Sequence, residues 1–379
     1  MTADVLVVGA GVMGAATALF LARRGASVTL TDRGGLCAAA SGVNAGTLTL
    51  HMTRAALIPH AMRGNALWTG QTPDGRDWIG HPVGARATPG LCLAYTEAEA
   101  ELLERRAAVR REAVAPIELI GDARARAIEP GLGPAVRLAA WCPVDGHVTA
   151  YRTASAVRAA LAEAGVRLLE WTAISGIERR HGRFVARGPE EALEGRQLVL
   201  AGGVWLEEML AWFGLAVPIK VLVNQLAVTD RRPPAMRCVV TIASGLLSLK
   251  QFANGGVVIG GGWQGRGDRV RGGVEIVPER LIGNLRLAAW TIPALRDASV
   301  LRTWLGLEAE TADAMPILGP VPGVPGAFAI GSVHSGYTSG PAMAEVMTAL
   351  VLGEAPPLPH FPLDRLLPTR PISALQGAS

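Results

Sequence analysis

The sequence predicts an α/β protein with strand–helix units of parallel type at both chain ends and an antiparallel block between them. Three observations predict it. A short apolar run, Val5-Leu6-Val7-Val8, leads into a glycine turn and a segment of helical spacing that stops at Gly25. Near the other end, the apolar run 327–331 meets a Gly/Ser loop and then a helical segment, 341–352. Between them lie two long strand-like runs, 217–229 and 246–262. The second folds back at Asn254-Gly255-Gly256, between Leu247-Ser248-Leu249 and Val257-Val258-Ile259.

Each element follows from its local pattern. The first run is continuously apolar, as a strand buried on both faces requires. Residues 12–24 repeat with helical spacing, and Val28-Thr29-Leu30 forms a second strand that ends at Asp32. Residues 34–50, rich in Gly, Ala, Ser and Thr, read as an ordered loop, and 55–68 as a helix. Gly, Pro and Asp in 70–90 mark a boundary. A charged helix follows at 96–113. There Glu97, Glu99, Glu101 and Glu104 precede Arg105, Arg106, Arg110 and Arg111, an order that suits the helix dipole and reads as a solvated face. A helix at 151–164 ends at Gly165. Strands are expected at 166–169, 172–178, 183–187 and 197–201, and a helix at 277–290. The Pro-rich tail from 355 reads as an extended wrap or a partly disordered segment. The expected domains are a discontinuous nucleotide domain (1–85, 142–216 and 300–379) and an inserted mixed or antiparallel-sheet substrate domain (86–141 and 217–299).

Composition narrows the class. The 379 residues suit two domains. Half are hydrophobic and 18% are charged, below the roughly 25% of ordinary soluble chains. The net charge of +4 comes from scattered arginines without a dense basic run, which argues against a nucleic-acid partner. Val5 to Ala22 is uncharged and nearly long enough to span a bilayer, but it follows Asp4, lacks a basic leader and carries three spaced glycines. No transmembrane segment is therefore expected. The four cysteines, Cys37, Cys92, Cys142 and Cys238, form no CxxC, and no histidine cluster has ligand spacing. A metal site is not expected, and the expected setting is reduced and cytoplasmic.

Gly9-Ala10-Gly11-Val12-Met13-Gly14 is GxGxxG. Gly9 permits the tight turn, Gly11 admits a pyrophosphate, and Gly14 lets helix and strand approach. The helix N-terminus offers free N–H groups to the phosphates. The motif follows a strand and opens a helix, and Asp32 stands about 20 residues on, at the end of the second strand, where a ribose hydroxyl is read. This is a Rossmann-type unit for a dinucleotide. The small residues of 38–46 and the turn Ala201-Gly202-Gly203-Val204-Trp205 suit an extended FAD.

Taken in order, these segments resemble the D-amino-acid oxidase family, which includes glycine and sarcosine oxidases, D-amino-acid dehydrogenases and flavoprotein subunits of opine-type and proline dehydrogenases. The resemblance rests on Gly9 to Arg33, Ser41 to Gly46, Asp145-Gly146-His147 with Tyr151-Arg152, and 201–205. It continues through Arg302-Thr303-Trp304-Leu305-Gly306-Leu307, Met315 to Pro320, and His334 to Pro341. It implies a Rossmann-like FAD domain with a substrate sheet over the flavin. It places Gly9, Gly11, Val12, Met13 and Gly14 at the pyrophosphate and Asp32 and Arg33 at the adenosine ribose. Ala40, Ser41, Ala45, Gly46 and Thr47 fall beside the flavin, Ile174 near the adenine, and Ala201 and Gly202 at a second contact. Ser335, Gly336, Tyr337 and Thr338 pass the isoalloxazine, with a helix from Pro341 aiming its positive end at the ring. Asn44 stands near the histidine that tethers flavin in some relatives, so FAD is expected to be noncovalent.

The implied chemistry is oxidation of a carbon next to nitrogen, by hydride transfer to flavin N5, to an imine that water hydrolyses. Two departures bear on the substrate. Glu308 stands where glycine-oxidase-like members carry an arginine for the substrate carboxylate, and His334 where they carry a second. Glu308 is expected to bind a cationic group or to form an ion pair, with Arg302 as one partner. Arg54, Arg302 and Lys250 are alternative carboxylate ligands. His334 and Tyr337 are expected at the site, Tyr337 as a pocket cap or a packing residue, Trp304 as packing, and His51 and His60 as ordinary. One of Asn224 and Gln225 should face the pocket and the other away. Three functions compete: an amine or amino-acid oxidase or dehydrogenase, a flavoprotein subunit that needs a partner for electron transfer, and an NAD(P)H-dependent flavoprotein. The absence of CxxC and of a second GxGxxG disfavours the last. A non-catalytic FAD-binding protein is a further alternative, since both arginines are replaced.

Overall fold

The structure, a computed structural model, describes residues 2–133, 136–269 and 273–367. The far end of the Pro-rich tail, 368–379, lies outside the described residues. Five parallel strands form the centre of the first sheet: Arg167–Leu169, Val28–Thr31, Ala3–Val8, Ala192–Leu200 and Ala327–Gly331, in that spatial order. Ile317–Pro320 adds an antiparallel edge. The hairpin Ile177–Arg180 and Arg183–Arg187 attaches to the first half of Ala192–Leu200. Val12–Arg23 packs on this sheet with eight of its twelve residues buried, as its alanines and Gly14 allow.

The second sheet has eight strands: Val300–Glu310, Lys220–Thr229, Val257–Gly260, Ser248–Gln251, Val239–Ile242, Gly90–Ala94, Leu138–Cys142 and Glu118–Ile120. Only Val239–Ile242 with Gly90–Ala94 is parallel, so the sheet is mixed. Helix Pro278–Thr291 covers one face through Ala288. The other face meets helix Glu97–Glu112 and also Leu50, Ile58 and Ala61 of the first layer. That helix begins in a reciprocal cap: Thr96 Oγ1 accepts the Glu99 N–H, and Glu99 accepts the Thr96 N–H.

Several elements differ from the sequence reading. The run 246–262 folds back at Asn254-Gly255-Gly256 as expected, but its two strands, Ser248–Gln251 and Val257–Gly260, are shorter than the run. The strand expected at 172–178 starts only at Ile177, because Thr172 N–H is drawn to the Asp32 carbonyl. Val300–Glu310 pairs along the whole of Lys220–Thr229 and so belongs to the second sheet; the division placed at residue 300 falls at the start of this strand. The last helix, Gly336–Val351, starts five residues before Pro341 and carries that proline in its second turn.

Candidate functional site

Sterics, rather than side-chain chemistry, shape the GxGxxG turn. Gly9 holds φ +111°, and a Cβ there would stand 2.3 Å from the Ala201 carbonyl oxygen. A Cβ on Gly14 would stand 2.0 Å from the Gly9 carbonyl oxygen, so helix and strand touch backbone to backbone. Gly11 is the helix N-cap and offers no capping side chain; Ser41 Oγ accepts the Val12 N–H instead. Asp32 braces the turn, its carboxylate accepting Ala10 N–H at 2.6 Å and Gly34 N–H at 2.8 Å. Each oxygen keeps a lone pair for a further donor.

The loop after the second strand is pinned at several points. Asn44 donates to the Ser41 carbonyl at 2.5 Å and accepts Gly46 N–H at 2.6 Å. Gly46, at φ +70°, lies against the Val148 carbonyl. Trp304 Nε1 donates to the Val43 carbonyl at 2.7 Å, so Trp304 anchors this loop as well as packing. Thr47 lies between two layers. Its carbonyl accepts Thr338 Oγ1 at 3.2 Å, and its hydroxyl accepts from the fully buried Lys250 ammonium. Burial holds the Lys250 pKa down at about 7.

A cavity of about 960 Å³ runs from the glycine turn to the second sheet. Gly11, Val12, Met13 and Gly14 line one end, and Ala40, Ser41, Ala45, Thr47 and Ala201 the next stretch. His334, Ser335, Gly336, Tyr337 and Thr338 form its floor, and Glu308 and Arg54 stand further along. Gly9, Asp32, Gly46 and Gly202 brace it from behind without lining it. Arg33 lies over the Trp205 ring, 4.6 Å from its centroid, and Ile174 packs in the cluster below the first sheet.

Glu308 and His334 form the charged centre. His334 Nδ1 lies 2.7 Å from Glu308 Oε1, and Asn224 Nδ2 donates to Glu308 Oε2 at 2.5 Å. Burial opposes charge on both, but the mutual hydrogen bond and attraction prevail. The carboxyl is held below its ordinary range and the imidazole above its own. Arg302 is exposed at the strand's edge and is not the partner of Glu308. Gln225 faces the other way, bonding Trp263 and Val277. Ser332 and Ser335, at φ +59° and +65°, bracket His334 in left-handed backbone, a conformation that costs about 1–2 kcal/mol per non-glycine residue and marks functional turns.

Other candidates fare differently. Tyr337 borders the cavity, but its ring stacks on Trp68 at 4.7 Å and its hydroxyl meets Thr153 Oγ1 at 2.6 Å, an anchoring rather than a capping arrangement. Arg54 reaches Glu310 Oε2 at 3.3 Å. Lys250 lies one layer behind the lining and faces hydroxyls. His60 ties the tail down through the Pro359 carbonyl. The lining also includes His51, read from the sequence as ordinary, and Arg106 and Arg110, read as part of a solvated face. The two arginines stand four apart on the helix read as a solvated face. The overlooked signal is that spacing, which puts both on one helix face.

The cavity fits an extended dinucleotide. At its glycine end Gly9 and Gly14 leave no room for a Cβ, its helix N-terminus is open to an anion, and its length continues past small residues to a charged centre. A flavin-type redox protein is the class this geometry defines. The chain belongs to the DAO family of FAD dependent oxidoreductases, whose profile matches residues 4–350. It is 29% identical over 356 residues to an opine oxidase subunit of Agrobacterium tumefaciens, covering 88% of this chain and 89% of that one. It is 28% identical over 353 residues to the glycine oxidase of Geobacillus kaustophilus, covering 92% of each. The crystal structure of glycine oxidase from that organism superposes with a TM-score of 0.86 at 25% identity, over 98% of this chain and 99% of the other. Among the described residues no helix is long and apolar enough to cross a membrane.

Proposed function

We propose that this chain oxidises the C–N bond of an amino acid or N-substituted amino acid to an imine, which water then hydrolyses to a carbonyl compound and an amine. The ion pair of Glu308 and His334 beside the 334–338 turn carries this reading. FAD, when bound, would supply the acceptor for the two electrons that leave with the hydride of the substrate carbon as the C=N bond forms. Gly11, Val12, Met13 and Gly14 hold the pyrophosphate, and Asp32 the ribose. Ala45, Thr47 and Thr338 border the ring system. Glu308 attracts the substrate ammonium. The nitrogen must be neutral before its lone pair can move, and His334 takes the ammonium proton in its neutral form, after its own proton has left to solvent, with Glu308 staying ionised. Asn224 fixes the second Glu308 oxygen, so the carboxylate faces one way.

Anaerobic titration of the yellow protein with a panel of amino acids and N-alkyl amino acids tests the reading. Loss of the flavin's visible absorbance with one of them is the expected result. Bleaching by NADPH and by no amine would replace it with the NAD(P)H-dependent alternative. One observation favours a second reading, a flavoprotein subunit that passes electrons to a partner: the likeness to a protein named as one subunit of an opine oxidase. Co-purification with a second redox subunit would establish it. The four cysteines are free and buried, which suits a reduced, cytoplasmic setting.

A further inference from the structure

The far end of the cavity is cationic, and its arginines are held by carbonyls rather than by carboxylates. Arg110 is half-buried on helix Glu97–Glu112, and its Nε donates to the Thr53 carbonyl at 2.8 Å. Arg106, one turn earlier, donates from one terminal nitrogen to the Ala243 carbonyl at 2.7 Å. Neither forms an ion pair with an acidic side chain among the described residues. The neighbouring Arg105 has Glu101, and Arg54 has Glu310. Burial holds the Arg110 pKa down and the nearby Arg106 charge adds to that, while Cys92 and the buried Asp145 pull it the other way. His51, 7% exposed, also lines the cavity; its Nε2 has no hydrogen-bond partner and stands 3.9 Å from the buried Asp145 carboxylate.

This end is joined to the charged centre along one wall. On strand Val300–Glu310, Glu308 and Glu310 share a face. Glu310 meets Arg54, and Arg54 follows Thr53, whose carbonyl holds Arg110. A molecule with its amine at Glu308 therefore has a route through the cavity to two guanidinium groups that present free donors. Guanidinium forks match the geometry of a carboxylate, the anionic group an amino acid carries.

We infer that Arg106 and Arg110 form an anion subsite for a carboxylate at the far end of the substrate. The preferred donors are then secondary amines that carry carboxylates on both arms, that is, N-(carboxyalkyl) amino acids. This inference rests on the amine-oxidation reading above and specifies its substrate. Glu308, in place of an arginine, takes the ammonium, and the carboxylate recognition is moved to the helix.

The test uses the FAD-loaded protein. N-methylglycine is compared with N-carboxymethyl-, N-(2-carboxyethyl)- and N-(3-carboxypropyl)glycine by anaerobic flavin bleaching, in the wild type and in Arg110→Gln and Arg106→Gln. Glutarate, which cannot be oxidised, is titrated in parallel through its perturbation of the flavin spectrum. The expected result is a wild-type preference for one of the dicarboxylates over N-methylglycine. That ratio of kcat/KM should fall about tenfold or more in Arg110→Gln, with a matching rise in the Kd of glutarate. A smaller fall is expected in the more exposed Arg106→Gln, whose retained flavin-to-protein ratio reports folding. A ratio that both variants leave unmoved, or glutarate binding that ignores both, overturns the subsite. If no amine bleaches the protein, the amine-oxidation reading fails, and the glutarate titration still decides the subsite.

Discussion

At the nucleotide end of the cavity the walls are backbone: Gly9 against the Ala201 carbonyl, Gly14 against Gly9, and amides braced by Asp32 and Ser41. At the substrate end they are charged side chains from distant parts of the chain: Glu308, His334, Arg106 and Arg110. The difference teaches where each end is vulnerable. The first has no space to give, so adding one carbon breaks it. The second has space but a set balance of charge, so exchanging an atom within a side chain retunes it without collapse.

The largest expected effect tests the rigid end. Gly9→Ala forces a Cβ into the Ala201 carbonyl at positive φ, costing on the order of 3 kcal/mol or more. The purified variant should be nearly colourless, as read from its flavin-to-protein absorbance ratio. A fully flavinated Gly9→Ala would erase the contrast between the two ends. Glu308→Gln should keep its flavin and lose about 2 kcal/mol of transition-state binding, roughly 30-fold in kcat/KM for the best amine. Steady-state kinetics checks this, and equal losses of flavin and activity would contradict it.

A third effect is on stability. Glu308 is held below its ordinary 4.5, so its contribution is present above that value and lost as pH falls through the lowered one. His334 is held above its ordinary 6.5, so its contribution is full below that value and lost as pH rises through the raised one. The Tm advantage of the wild type over His334→Gln should therefore be widest between pH 4.5 and 6.5 and narrow on both sides. A difference that stays the same from well below pH 4.5 to well above pH 6.5 would mean that the pair is not ionised. The smallest effect is expected from Thr96→Ala, which removes the cap of the arginine-bearing helix for about 1 kcal/mol. Thermal unfolding should register it while flavin content stays constant.

What could be read from the sequence follows the same division. The nucleotide end is local, because strand, turn, helix and Asp32 lie within one short stretch whose spacing encodes their contacts. Glu308 and His334 were both legible as positions, through the family likeness. Their pairing was not, because only the pairing of Val300–Glu310 with Lys220–Thr229 and the turn after Gly331 bring them within 2.7 Å. Arg106 and Arg110 were misread for a physical reason. On a helix with its acids in the first half and its arginines in the second, every arginine looks solvated until the Thr53 and Ala243 carbonyls appear opposite two of them. The start of the last helix was misplaced because Pro341 suits a first turn, yet the left-handed Ser335 had already opened the helix at Gly336.

Trp304 and Gly306 give the strand that carries Glu308 a mechanical role. One holds the Val43 carbonyl, the other lies so close to the Val43 side chain that a Cβ would come within 2.8 Å of it, and both share the strand face of Glu308. Cofactor loop and acidic side chain are thus riveted to a single beam. A displacement of the 40–46 loop would therefore pull on the strand that carries the carboxylate.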